Sequence, residues 1–169
     1  MWEEKKDPKD LFKQKFNIFK TKVVEFKDKA IENTAEKISK SSLVLKSQQE
    51  LDEFILTSKN KTFKNDKQEE KTTIKKSLLL VWNKETDFFK ENLLNMPVIL
   101  TKAFSQNIKI KMIDTSNKDI NLLPYDLKET PAMIVFENTK VFKIIYSQEN
   151  IKKVVKDLTL DINKTIQDL

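Results

Sequence analysis

The sequence predicts an α/β fold, a mixed sheet flanked by helices, with a long amphipathic helix at the amino end and an extended helix at the carboxyl end. Three observations carry this expectation. Ser77 to Trp82 is a near-continuous apolar run of strand length, the pattern of a strand buried on both faces. Segments on either side of it repeat apolar residues at spacings of three and four, as helices with one buried face do. Met133 to Phe136 and Val141 to Tyr146 read as a hairpin around the turn Glu137-Asn-Thr-Lys140, where Asn takes the left-handed conformation readily and Thr139 stands where glycine would be easier.

From about Asp10 to Lys40 the spacing predicts one helix. Phe12, Phe16, Phe19, Val23, Phe26 and Ala30 alternate at spacings of four and three, and Ile31 and Ile38 extend the stripe. Asp7 and Pro8 supply a cap and a proline near the first helical position. Such a helix would be roughly 45 Å long, more than a small domain can cover. Residues 1–40 are therefore expected to form a helical arm, and 41–169 the domain.

Leu43-Val-Leu45 then reads as a short strand, and Gln48 to Leu56 as a helix with Leu51, Phe54 and Ile55 on one side. The polar insertion at about 57–73 is expected to be a hairpin or a mobile loop. Glu85 to Gln106 reads as a helix that Pro97 should kink, because proline lacks the backbone donor. Ile108, Ile110 and Met112 alternate with lysines as a strand. A helical or irregular connector spans Ile120 to Leu127. The last helix, from Ser147, carries Ile151, Val154, Val155, Leu158, Ile162, Ile166 and Leu169. Its seam outruns the domain, so the overhanging ends of the first and last helices are candidate partners.

Composition excludes much chemistry. At 169 residues the chain holds one domain with an appendage, and 38% hydrophobic against 34% charged residues fits a globule plus a solvated element. Gly, His and Cys are absent, and so is Arg, which leaves all 32 basic residues as lysines. Without glycine there is no P-loop or dinucleotide fingerprint. Without His and Cys a zinc site or a Ser-His-Asp triad has no ligands or base. Lysine is a point charge without the fork that reads base edges, so the net charge of +6 points to no specific nucleic acid. Asp114-Thr-Ser-Asn-Lys-Asp119 has Lys118 and Asp119 at positions a calcium loop cannot accept, and it reads as a polar turn. None of the 26 carboxylates is spaced as a catalytic pair. The amino terminus shows no apolar signal segment, and the longest apolar runs, Leu78 to Trp82 and Ala132 to Phe136, are far too short to span a membrane. The expectation is a cytoplasmic protein without cofactor or metal.

The order of elements, together with Tyr125-Asp-Leu-Lys-Glu-Thr-Pro131-Ala-Met-Ile-Val-Phe136, resembles the thioredoxin-like family over roughly the last 130 residues. In that family this spacing leads into the strand after a cis-proline, a place that Pro131 would occupy. Lys111-Met-Ile-Asp114 looks like the end of the family's third strand, and Trp82 matches the tryptophan that ends its second. Four and seven residues beyond Trp82, the redox cysteines are replaced by Thr86 and Phe89. Leu80 stands where a buried acid often assists proton transfer, and Pro97 falls three residues later than the family's kinking proline. The resemblance thus implies a redox-inactive member, because neither threonine nor phenylalanine can supply the thiolate of disulfide exchange.

The expected role is a non-catalytic binding or scaffolding module. One candidate surface is Thr86, Asp87, Phe88, Thr130 and Pro131, since family members hold extended peptides beside the cis-proline without needing a thiol. Phe88 and Phe89 could instead turn inward and plug the core. The second candidate is the face of Phe12, Phe16, Phe19 and Phe26, four rings worth about 2 kcal/mol each when buried. It could pack on this domain against the last helix, or on another copy or another protein. It could also lie on an anionic membrane surface, a reading opposed by Asp10, Glu25, Asp28 and Glu32 on the polar face. The alternative class is an enzyme that uses carboxylates or a lysine on a rebuilt scaffold.

Overall fold

The apolar run of the sequence becomes the centre of a sheet. The computed structural model describes residues 40–83, 86–87, 92, 95–159 and 162–169, with 17, 21, 22, 29, 30, 33, 37 and 38 from the amino-terminal segment. In order come α1 (Gln48–Leu56), β1 (Lys61–Lys64), β2 (Glu70–Thr73), β3 (Lys76–Trp82), α2 (Met96–Ser105), β4 (Lys109–Asp114), β5 (Ala132–Glu137), β6 (Lys140–Tyr146), α3 (Gln148–Lys156) and α4 (Ile162–Asp168). The main sheet has the order β4-β3-β5-β6, with β3 parallel to β4 and antiparallel to β5. Val44 makes a parallel bridge to Met112, which carries Leu43–Leu45 to the outer side of β4.

All seven residues of β3 are buried, and the two-residue period of a strand sorts them into two cores. Leu78, Leu80 and Trp82 join Met96 and Ile99 of α2 and Ile151 and Val154 of α3. Leu79 and Val81 join Leu51 and Phe54 of α1 and Ile134 and Phe136 of β5. The Phe54 and Phe136 rings meet edge to face at 6.5 Å. α1 starts where Ser47 Oγ accepts the Glu50 N–H at 3.2 Å, while the Glu50 carboxylate accepts the Lys46 N–H. At the base of β3 the ammonium of Lys76, 8% exposed, pairs with Glu137 and sits 4.7 Å from the Phe142 ring centroid.

Several expectations are revised. Pro97 does not kink a continuous helix: Asp87 and Asn92 are helical, Asn95 is a turn, and Pro97 falls in the first turn of α2. A missing N–H costs nothing there, since the first turn has no acceptor for it. Of the two forms expected for the insertion at 57–73, the hairpin is the one found, with β1 and β2 paired antiparallel. The last helix is not one straight rod. α3 ends at Lys156, a 3-10 turn follows at Asp157–Thr159, and α4 is a separate helix. A continuous helix of about 33 Å would carry its end off the domain. The break instead buries both Leu158 and Ile166, and Lys143 Nζ donates to the Ile166 carbonyl at 2.8 Å.

In the amino-terminal segment, Asn17, Thr21, Lys22, Lys29, Asn33 and Lys37 are helical and exposed. These are the polar positions of the predicted stripe. Ala30 is half-buried, and Ile38 is buried in the same core as Ile166.

The β5–β6 connection is a two-residue turn with Asn138 at φ 49° and Thr139 at φ 65°, both left-handed, as a type I′ hairpin requires. Buried Ser58 holds it: the Ser58 carbonyl accepts the Asn138 N–H at 2.9 Å, and Ser58 Oγ accepts the Thr139 N–H at 3.0 Å.

Candidate functional site

Val81 faces Ala132 across β3 and β5, so Trp82 and Pro131 leave the sheet at the same end. The Thr130–Pro131 peptide is cis, as the sequence led one to expect. Thr115, just after β4, donates its N–H to the Trp82 carbonyl at 2.9 Å and pins a third connection there. Parallel strands with such diverging connections leave a crevice beyond their carboxyl ends.

The expected site residues divide. Thr130 and Pro131 lie at this end, Thr130 exposed and Pro131 half-buried. Thr86 also follows β3 here, and its N–H and Oγ1 both donate to the Asn83 carbonyl, at 3.1 and 2.7 Å. The hydroxyl thus closes a local turn, and histidine is absent from the chain to activate it. Asp87 is helical and exposed. Leu80, in the place of the family's buried acid, is 6% exposed and packs in an apolar cluster with Met96, Met133 and Ile151. Phe88, Phe12, Phe16, Phe19 and Phe26 lie outside the described residues.

An open groove of about 560 Å³ runs from Thr130 along the connection between β4 and β5. Val81, Thr115, Asn117, Lys118, Ile120, Asn121, Leu122, Leu123, Asp126 and Leu127 complete its lining, and Thr86 and Asp87 take no part in it. The wall is built from short polar side chains that fold the backbone on itself. Asp114 accepts from the Ser116 N–H, Asn117 from the Asp119 N–H and Asn121 from the Leu123 N–H, each near 2.9–3.0 Å. Asn117 Nδ2 donates to the Lys46 carbonyl and Gln48 Oε1 accepts the Asn121 N–H, which ties the wall to the start of α1. A 3-10 turn at Leu123–Tyr125 ends at Asp126, φ 46°, and leaves Leu123 87% exposed. Beneath it the Tyr125 ring meets Phe136 edge to face at 5.9 Å. Burial pushes the Tyr125 phenol above its ordinary pKa, and the Asp52 carboxylate adds to the effect.

Sequence reasoning read this segment as a polar turn and a connector, and so missed the groove. Its only trace is the repeat of Asp or Asn two residues before a turn, beside the apolar pair Leu122-Leu123. Chemically the groove offers hydroxyls, amides, apolar walls, one lysine and one carboxylate. No pair of carboxylates lines it. Among the described residues no cluster of three or more carboxylates could hold a metal, and no helix is long and apolar enough to cross a membrane.

No family model and no curated protein matches the chain. Solved structures do. The oxidised thioredoxin of Plasmodium falciparum aligns with a TM-score of 0.50 at 11% identity, covering 70% of this chain and 99% of its own. A thioredoxin of Fasciola hepatica gives 0.50 at 8%, covering 67% and 95%, and a designed protein gives 0.50 at 16%, covering 72% and 94%. Identities this low speak for the fold alone. The chain therefore has a thioredoxin-like fold that carries no cysteine, and with it no thiol–disulfide chemistry.

Proposed function

We propose that the chain is a non-catalytic binding module that works in the cytoplasm and holds an extended segment of a partner protein in the groove beside Thr130. The carrying observation is the combination of a thiol-free fold with an open groove whose wall is fastened by side-chain hydrogen bonds and whose rim bears the exposed Leu123. A mixed lining of apolar walls and amides suits a peptide, which needs partners for its main chain and pockets for its side chains. The absence of a nucleophile–base pair or a carboxylate pair in the lining supports binding over catalysis.

Peptides selected from a random display library against the full chain should shift the amide resonances of Thr115 to Thr130. Leu123→Asp should reduce their affinity by about tenfold or more. Selected peptides that map elsewhere, or that ignore Leu123→Asp, would remove the reading. In the same proposal the stripe of Phe12, Phe16, Phe19 and Phe26 is a second contact, made with a partner or another copy. Light scattering of the full chain, with Phe16→Asp and Phe19→Asp as the comparison, tests self-association.

A further inference from the structure

The hairpin β1–β2 is an addition at the opposite end of the sheet from the groove, and it is built too firmly to be slack chain. Asn60 Oδ1 accepts the Lys75 N–H and the Asn60 N–H donates to Asn138 Oδ1, both at 3.3 Å, which roots it beside the β5–β6 turn. At its tip the Asn65 N–H donates to the Glu69 carbonyl at 3.0 Å, and Asn65 Oδ1 accepts the Lys67 and Glu69 N–H groups at 3.0 and 2.9 Å. Every residue of β1 is exposed, and among the described residues β2 is its sole strand partner. The tip bond sets the alternation of the ladder. Phe63 and Lys71, and Lys61 and Thr73, exchange main-chain bonds, whereas Thr62 and Lys64 turn their N–H and C=O outward.

The outward edge is charged. Residues 59–75 hold six lysines against Asp66, Glu69 and Glu70, a net of +3 (six minus three) and half of the chain's +6. The acids lie on the loop and β2, and β1 itself carries Lys61, Phe63 and Lys64 with no acid. Phe63 is 52% exposed, on the face it shares with Lys61 and Lys71.

We propose that β1 is a docking edge for an acidic, extended peptide that adds a third strand to this ribbon. Unpaired main-chain groups at Thr62 and Lys64 supply the hydrogen bonds of strand addition, and the lysines select the partner. Lysine on an edge ordinarily prevents edge-to-edge pairing, and against a second copy it would set lysine beside lysine. An acidic strand turns that repulsion into attraction. A nucleic acid would leave the outward N–H and C=O groups unused and would find one aromatic ring to stack on. Added antiparallel, the peptide places an acid opposite Lys64, an apolar residue opposite Phe63 and a second acid opposite Lys61. Glu-Val-Thr-Glu is such a segment.

The test is fluorescence anisotropy with the full chain and a labelled peptide containing Glu-Val-Thr-Glu. Binding should weaken by about tenfold or more in Lys61→Glu/Lys64→Glu, and that variant should instead take a Lys-Val-Thr-Lys peptide. Thr62→Pro removes one outward N–H from the edge and leaves the β1–β2 ladder its bonds, so it should abolish binding. Thr72→Pro, on the other edge, should not. Unchanged affinity in Thr62→Pro would overturn the proposal, as would failure of the charge-swapped pair. Tighter binding of oligothymidylate or of phosphatidylserine vesicles than of the peptide would also overturn it, since the ribbon would then be a general polyanion surface.

Discussion

Thr139 stands in a conformation that its side chain opposes, and replacing it with glycine should stabilise the protein. Its φ is 65°, and a left-handed backbone costs an L-residue about 1–2 kcal/mol through the clash of Cβ with the following carbonyl. Glycine removes that clash and adds roughly 0.5–1 kcal/mol of unfolded-chain entropy. The Thr139 side chain is exposed, so no burial is lost, and its bond to Ser58 Oγ is a main-chain bond that glycine keeps. The net gain is about 1 kcal/mol. With an unfolding entropy of about 2.1 cal/mol/K per residue, it raises Tm by roughly 3 °C. Thermal unfolding followed by circular dichroism measures it, with a urea midpoint at unchanged slope as the check. Asn138→Gly should gain less, because asparagine tolerates φ 49°. A Tm for Thr139→Gly equal to or below that of the parent would refute the argument that the turn is held against local preference by Ser58.

Two further outcomes test the packing beneath the groove and the docking of the last helix. Ile166→Ala empties a fully buried site and should cost about 2–4 kcal/mol in urea unfolding. A cost near zero would mean that α4 does not pack on this domain in solution. The folded-state pKa of Tyr125 is raised, so the folded protein holds this proton more tightly than the unfolded chain. Its contribution is therefore complete below the unfolded value of about 10 and is lost as pH climbs through the folded value. Tyr125→Phe should lose less Tm than the parent above about pH 10, and parallel losses would rule out the linkage.

Local signals were readable without coordinates. The run from Leu78 to Trp82 read as a doubly buried strand, and Asn138 marked the β5–β6 turn, because apolar period and turn chemistry act within a few residues. The cis Thr130–Pro131 peptide was foreseen only through the family resemblance that its spacing to the following strand carries. Pro97 was misjudged because a proline inside a periodic segment looks the same whether it kinks one helix or opens the next. The seam from Ile151 to Leu169 kept helical spacing across a break that no residue announces.

The groove depended on contacts distant in sequence: Asn117 reaches Lys46, and Gln48 reaches Asn121. What the residues alone determined is the chemistry this chain lacks, since a side chain that is absent cannot be restored by folding, together with the strands and helices whose apolar period is local. Where the helices stop, which surface stays open and which strand edge goes unpaired were decided by tertiary packing, because burying Leu158 and Ile166 in one core and Leu51 and Phe54 in the other outweighs local helical preference.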